Sequence, residues 1–127
     1  MSESLLSLLE QMKTARTELN QVTSLAINVR KLAIQLENEV ALATDAADDA
    51  TQYLTHVSDN PSLLQVAEII RNEAVQKLIK TSQLAEESLN RADEADAAVA
   101  KAFIIVKEAA EKLSIALKNA TTKEMDM

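Results

Sequence analysis

The sequence predicts an all-α protein, built as a long antiparallel helical hairpin with a coiled-coil-like, alanine-rich seam. Three observations predict it: a sustained apolar heptad, a single turn-like cluster, and the absence of glycine from 127 residues that contain one proline. Sheet proteins need many turns, and turns depend on glycine. Glycine-rich phosphate loops and dinucleotide-binding fingerprints are excluded for the same reason.

Helix one is predicted over about residues 3–57 from the spacing of its apolar residues. These alternate at intervals of three and four, and the sixteen positions are Leu5, Leu8, Met12, Ala15, Leu19, Val22, Ala26, Val29, Ala33, Leu36, Val40, Ala43, Ala47, Ala50, Leu54 and Val57. A sustained period of 3.5 residues indicates a helix whose seam winds around a partner helix.

The turn is predicted at residues 58–61, in the sequence Ser58-Asp59-Asn60-Pro61. Proline disfavours helix at the preceding residue and suits the first position of a helix, so Asn60 is the predicted N-cap of helix two. One short break between two long periodic segments predicts an antiparallel hairpin.

Helix two is predicted over about residues 61–120, and the two helices together form a single domain at 1–120. Its apolar stripe is Leu63, Ala67, Ile70, Ala74, Leu78, Thr81, Ala85, Ser88, Ala92, Ala95, Val99, Ala102, Val106, Ala109, Leu113, Ala116 and Ala120. Two successive spacings of four, at Ile70, Ala74 and Leu78, predict a local stutter in the seam. Residues 121–127 are predicted to form a flexible C-terminal tail.

Both helices carry more apolar residues than one seam can bury, which predicts self-association of two hairpins into a four-helix bundle. The candidate self-association surface is Leu25, Ile27, Leu32, Ile34, Phe103 and Ile105. Tyr53, beside the seam, is expected to close the core. A monomeric bundle of four equal helices would need breaks near residues 30 and 90, and the heptad continues through residue 30.

Acidic residues are concentrated around the predicted turn. Between Leu32 and Ile70 there is no Lys or Arg and there are seven acids, a number equal to the net charge of −7. The candidate acidic docking tip consists of Asp45, Asp48, Asp49 and Asp59. A solvated tip that maintains solubility is the favoured interpretation, and a docking site for a basic partner or a barrier to tip-to-tip association is the alternative. The spacing does not suit a metal site, so no metal is predicted.

The composition also excludes several functions. The chain has no cysteine and one histidine, which excludes thiol chemistry and argues against a catalytic triad. Two aromatic residues and an excess of 20 acids over 13 bases argue against nucleic-acid binding. No apolar run reaches the ~20 residues of a membrane span. An alanine-lined seam offers little cavity, so no enzyme activity, cofactor or small-molecule substrate is predicted.

The function expected from these features is that of a non-enzymatic structural or scaffolding interaction protein, with a second copy or another helical protein as its partner. Two other functions stay open at this point. One is a surface-exposed or secreted helical rod, acting as a coat component or binding a host factor. The other is an amphipathic coat on a lipid or granule surface, which ranks last because interfacial helices usually carry Lys and Arg on their polar face. A cytoplasmic location is favoured if the 127 residues are the full chain.

Overall fold

The computed structural model describes residues 4–125, with side chains described for residues 4–122. Two helices, α1 (Leu5–His56) and α2 (Pro61–Met125), pack against each other as a helical hairpin. The all-α prediction is therefore confirmed for the described residues. Because α1 is continuous through residue 30, the alternative of four equal helices in one chain is wrong.

Helix α1 begins after a serine cap that the sequence analysis did not single out. The backbone N–H of Ser7 donates to the hydroxyl oxygen of Ser4 at 3.1 Å, and that of Leu8 donates to the carbonyl of Ser4 at 3.0 Å. The first helical residues thus obtain acceptors that a helix cannot supply at its own start.

The turn lies at residues 57–60, one residue earlier than predicted. The side-chain oxygen of Asn60 accepts from the N–H of Leu63 at 3.3 Å, and its carbonyl accepts from the N–H of Leu64 at 2.8 Å. The predicted N-cap at Asn60 and helix start at Pro61 are both confirmed.

The predicted end of α2 near residue 120 is wrong, because the helix continues to Met125. The hydroxyls of Thr121 and Thr122 donate to the carbonyls of Leu117 and Lys118, each at 2.9 Å. No glycine or proline follows Ala120, so the sequence contains no stop signal that would end the helix there. Asp126 and Met127 of the predicted tail lie outside the described residues.

The predicted stripe on α1 is the face that packs against α2. Fifteen of its sixteen positions are buried or partly buried, and only Leu5 is exposed. On α2 fifteen of seventeen positions are buried or partly buried, but Leu63 and Ile70 are exposed.

The seam at the start of α2 passes instead through Leu64, Ala67, Arg71, Ala74 and Leu78, of which Ala67 is buried and the others are partly buried. This path keeps the regular alternation of three and four, so the predicted stutter is wrong. Arg71 can occupy a seam position because the aliphatic stem of an arginine can lie along apolar surface.

Two compact units are distinguished along the hairpin. Within the described chain, unit 1 comprises residues 4–28 and 93–125, and unit 2 comprises residues 29–92 with the turn. Unit 1 buries Leu8, Ala15, Ala26, Ala95, Ala102 and Ala109, and unit 2 buries Ala33, Ala43, Ala47, Ala50, Ala67 and Ala92. Neither described helix has a stretch long and apolar enough to cross a membrane. The single-domain organisation stays a prediction.

Candidate interaction surfaces

The described core of the hairpin is made of small side chains. Eleven of the twelve buried hydrophobic residues are alanine, and no large side chain of the described residues is fully buried. By contrast, twenty-one large hydrophobic residues are exposed, with between 38% and 72% of their surface accessible. Among the described residues, every exposed large hydrophobic residue except Leu5 therefore lies outside the seam.

Two grooves in unit 1 lie on different sides of the seam between α1 and α2. One groove is lined by Gln11 and Glu18 of α1 and by Ile105 and Lys112 of α2, each of which immediately precedes a seam residue. The other groove lies beside Met12 and Leu113 of the seam and includes residues of α2 that immediately follow a seam residue, among them Ala110, Ser114 and Leu117. Because the helices are antiparallel, residues that precede the seam point to one side in both helices. We call this side the leading flank and the opposite side the trailing flank.

In unit 1 the trailing flank is the more apolar. Its exposed large hydrophobic residues are Leu6, Leu9, Ile27, Phe103 and Leu117. The leading flank has Leu25, Ile105 and Ile115, and its groove is also lined by Glu10, Glu18, Glu108 and Lys112. These charged side chains make the leading flank of unit 1 a polar surface with a few apolar residues.

In unit 2 the leading flank is the more apolar. Its exposed large hydrophobic residues are Leu32, Leu42, Tyr53, Leu63, Val66, Ile70 and Leu84. The trailing flank has three, which are Ile34, Ile79 and Leu89. Tyr53, expected to close the core, is instead 41% exposed on the leading flank.

The six residues of the predicted self-association surface are all exposed, but they do not form one surface. In unit 1, Leu25 and Ile105 lie on the leading flank, whereas Ile27 and Phe103 lie on the trailing flank. In unit 2, Leu32 is on the leading flank and Ile34 on the trailing flank. Residues two apart on a helix point about 200° apart, which separates each leucine–isoleucine pair.

Sequence reasoning missed most of the apolar leading flank of unit 2. The predicted seam includes Leu63 and Ile70, and neither the seam nor the predicted self-association surface includes Leu42, Val66 or Leu84. The seam of α2 alternates at intervals of three and four residues through Ala85 and Leu78, and this spacing is the signal that would have corrected the assignment of Leu63 and Ile70. Extended backwards, this alternation reaches Arg71 and Leu64, and it leaves Leu63 and Ile70 outside the seam.

The predicted acidic tip is solvated. Asp45, Asp48, Asp49 and Asp59 are all exposed, the first three on α1 and Asp59 in the turn. No cluster of three or more potential metal-ligating acids, histidines or cysteines is found in the described part of the chain. The arrangement offers negative charge at a surface but no enclosed coordination site.

Two polar atoms in the seam are buried without a hydrogen-bond partner among the described residues, Arg71 Nε and Ser88 Oγ. The hydroxyl of Thr81, another seam residue, donates to the carbonyl of Lys77 at 2.8 Å. Hydroxyls in helices commonly bond to the carbonyl one turn earlier in this way. Arg71 and Ser88 both belong to unit 2, whose seam therefore carries two unsatisfied polar atoms.

Comparison of the chain with models of protein families, with curated proteins and with solved structures found no match. The surfaces described above are therefore the basis for assigning a function.

Proposed function

We propose that this protein is a non-enzymatic structural or scaffolding interaction protein, whose hairpins associate with one another into a four-helix bundle with coiled-coil packing. The observation that carries the proposal is the number of large hydrophobic residues that the hairpin leaves exposed. Twenty-one large hydrophobic residues of the described chain are exposed, the larger seam residues such as Leu19, Leu36 and Leu78 are only partly buried, and eleven of the twelve buried hydrophobic residues are alanine.

This distribution gives the isolated hairpin less apolar stabilisation than a core of fully buried large side chains would provide. Hydrophobic stabilisation scales with the area removed from water, and an alanine side chain removes little. Covering the exposed half of a leucine-sized side chain contributes about 1 kcal/mol. Several such residues per copy can offset the ~4–15 kcal/mol that association costs.

The acidic residues near the turn have a separate role in this proposal. Asp45, Asp48, Asp49 and Asp59 are exposed and carry like charge, so they oppose contact between the turns of two molecules. Association is thereby directed to the apolar flanks of the helices. A partner that is another helical protein would use the same flanks by helix-on-helix packing.

The experiment that tests this proposal is sedimentation equilibrium of the purified chain from ~1 to 100 µM. We expect a mass of at least twice the 13.9 kDa of one chain, because mass action favours assembly as concentration rises. The midpoint of thermal unfolding should rise over the same concentration range. A single 13.9 kDa species throughout, with a constant midpoint, would contradict self-association.

A further inference from the structure

We infer that a second copy of this chain docks on the leading flank of unit 2. This inference rests on the proposed self-association and adds to it the surface that is used. The surface consists of Leu32, Leu42, Tyr53, Leu63, Val66, Ile70 and Leu84.

The first argument is the asymmetry of the two flanks. Seven large hydrophobic residues are exposed on the leading flank of unit 2, against three on its trailing flank. On the trailing flank, Thr44, Thr51 and Thr55 replace the apolar residues. Their hydroxyls donate to backbone carbonyls one turn earlier, at 2.8 to 3.1 Å. These three hydroxyls of the trailing flank are therefore satisfied within α1, and the leading flank exposes the greater number of large apolar side chains.

The second argument is area. The seven residues are between 41% and 69% exposed. A large apolar side chain that is about half exposed presents on the order of 90 Å², which gives on the order of 600 Å² for the flank. A typical stable interface buries about 800 Å² per partner, of which a polar rim supplies part. The flank is thus large enough to form the apolar centre of a dimer interface.

The third argument is charge, which favours a second copy as the occupant. On the leading flank of unit 2, α1 carries the acids Glu39 and Asp49, whereas α2 has an excess of one base, with Lys77, Lys80 and Arg91 against Glu73 and Glu87. A second copy oriented with its α1 against α2 of the first brings acids to bases. A partner of uniform charge, such as an anionic lipid surface, would instead meet charges of both signs.

The test compares two double variants of the full chain that differ only in the flank they change. Ile70→Glu/Leu84→Glu alters the leading flank, and Ile79→Glu/Leu89→Glu alters the trailing flank with the same residue types and the same change of charge. Ile70 and Ile79 are matched in exposure, at 44% and 45%, whereas Leu84 is more exposed than Leu89, at 54% against 39%. Sedimentation equilibrium gives the dissociation constant of the dimer, and far-ultraviolet circular dichroism gives the helix content.

We expect the leading-flank variant to weaken the dimer at least tenfold, while the trailing-flank variant stays within about threefold of the wild type. The reason is that two charges introduced into an apolar interface lack partners there. A matched pair of alanine variants, Ile70→Ala/Leu84→Ala and Ile79→Ala/Leu89→Ala, gives the same comparison if glutamate lowers the helix content. With these the leading-flank change should still be the more damaging.

Each other outcome overturns the inference in a recognisable way. If the trailing-flank variant dissociates more, or if both or neither dissociate, the second copy does not depend on the leading flank of unit 2, yet self-association stands. If the wild type itself is monomeric at ~100 µM, self-association fails and the inference fails with it. The two failures are therefore distinguished by the wild-type measurement.

Discussion

Ser88 occupies a seam position where its neighbours along α2 are alanines. It is 5% exposed, and its hydroxyl oxygen has no hydrogen-bond partner among the described residues. A buried polar group without a partner loses its hydration without compensation. We therefore expect the wild-type serine at this position to lower the stability of the hairpin.

We predict that Ser88→Ala raises the free energy of unfolding by about 1 kcal/mol, because it removes the unsatisfied hydroxyl and keeps a small side chain in the seam. The control is Ser114→Ala, an exposed serine of α2, for which only the difference in helix propensity of about 0.5 kcal/mol applies. Urea unfolding at one fixed protein concentration measures both. A Ser88→Ala variant no more stable than Ser114→Ala would show that the hydroxyl is satisfied.

Arg71 shows why residue assignment from sequence failed at one point. Hydrophobicity alone favours Ile70 as the seam residue, but the regular spacing favours Arg71, and the structure partly buries Arg71 while Ile70 is 44% exposed. The periodicity of the whole stripe was the better guide than the polarity of a single residue. The buried serine could be located from the sequence, but whether its hydroxyl finds a partner could not.

At the scale of the helices, boundaries were predictable where a residue with a specific capping role is present. Asn60 and Pro61 define the start of α2, and both were identified from their sequence context. The end of α2 was not, because residues after Ala120 contain no breaker. Continuation or fraying there depends on the balance of helix propensity rather than on a single residue.

We predict that Asn60→Ala lowers the free energy of unfolding by about 1 kcal/mol, because the N–H of Leu63 loses its side-chain acceptor. Asn60→Asp should retain nearly full stability, since aspartate also caps well. Asn38→Ala, an exposed position within α1, serves as the control and should be neutral or slightly stabilising. Urea unfolding followed by circular dichroism measures all three variants. Equal stability of Asn60→Ala and the wild type would mean that Pro61 alone sets the start of α2.

At the scale of the whole molecule, the sequence predicted the hairpin, its seam and a surplus of apolar residues. It could not predict which flank carries the surplus. A heptad identifies the residues that face the other helix. The flank of every other residue depends on whether it precedes or follows a seam residue, so an error of one position in the seam changes the flank. In α2 the predicted phase is displaced by one residue at Leu63 and Ile70, so two of the seven apolar residues on the leading flank of unit 2 fall within the predicted seam.

The distribution of charge leads to a final prediction, on the size of the assembly. Seven acids lie between Leu32 and Ile70, in the segment that contains the turn. Four of them are the exposed aspartates Asp45, Asp48, Asp49 and Asp59. If they oppose contact between turns, changing all four to asparagine should produce species larger than the wild-type assembly at about 10 mM salt, where charges act over ~30 Å.

A variant with Glu10, Glu86, Glu94 and Glu111 changed to glutamine has the same net charge and should keep the wild-type size. Light scattering at equal concentration compares the two. Equal growth of both would show that net charge, rather than the position of the aspartates, limits assembly.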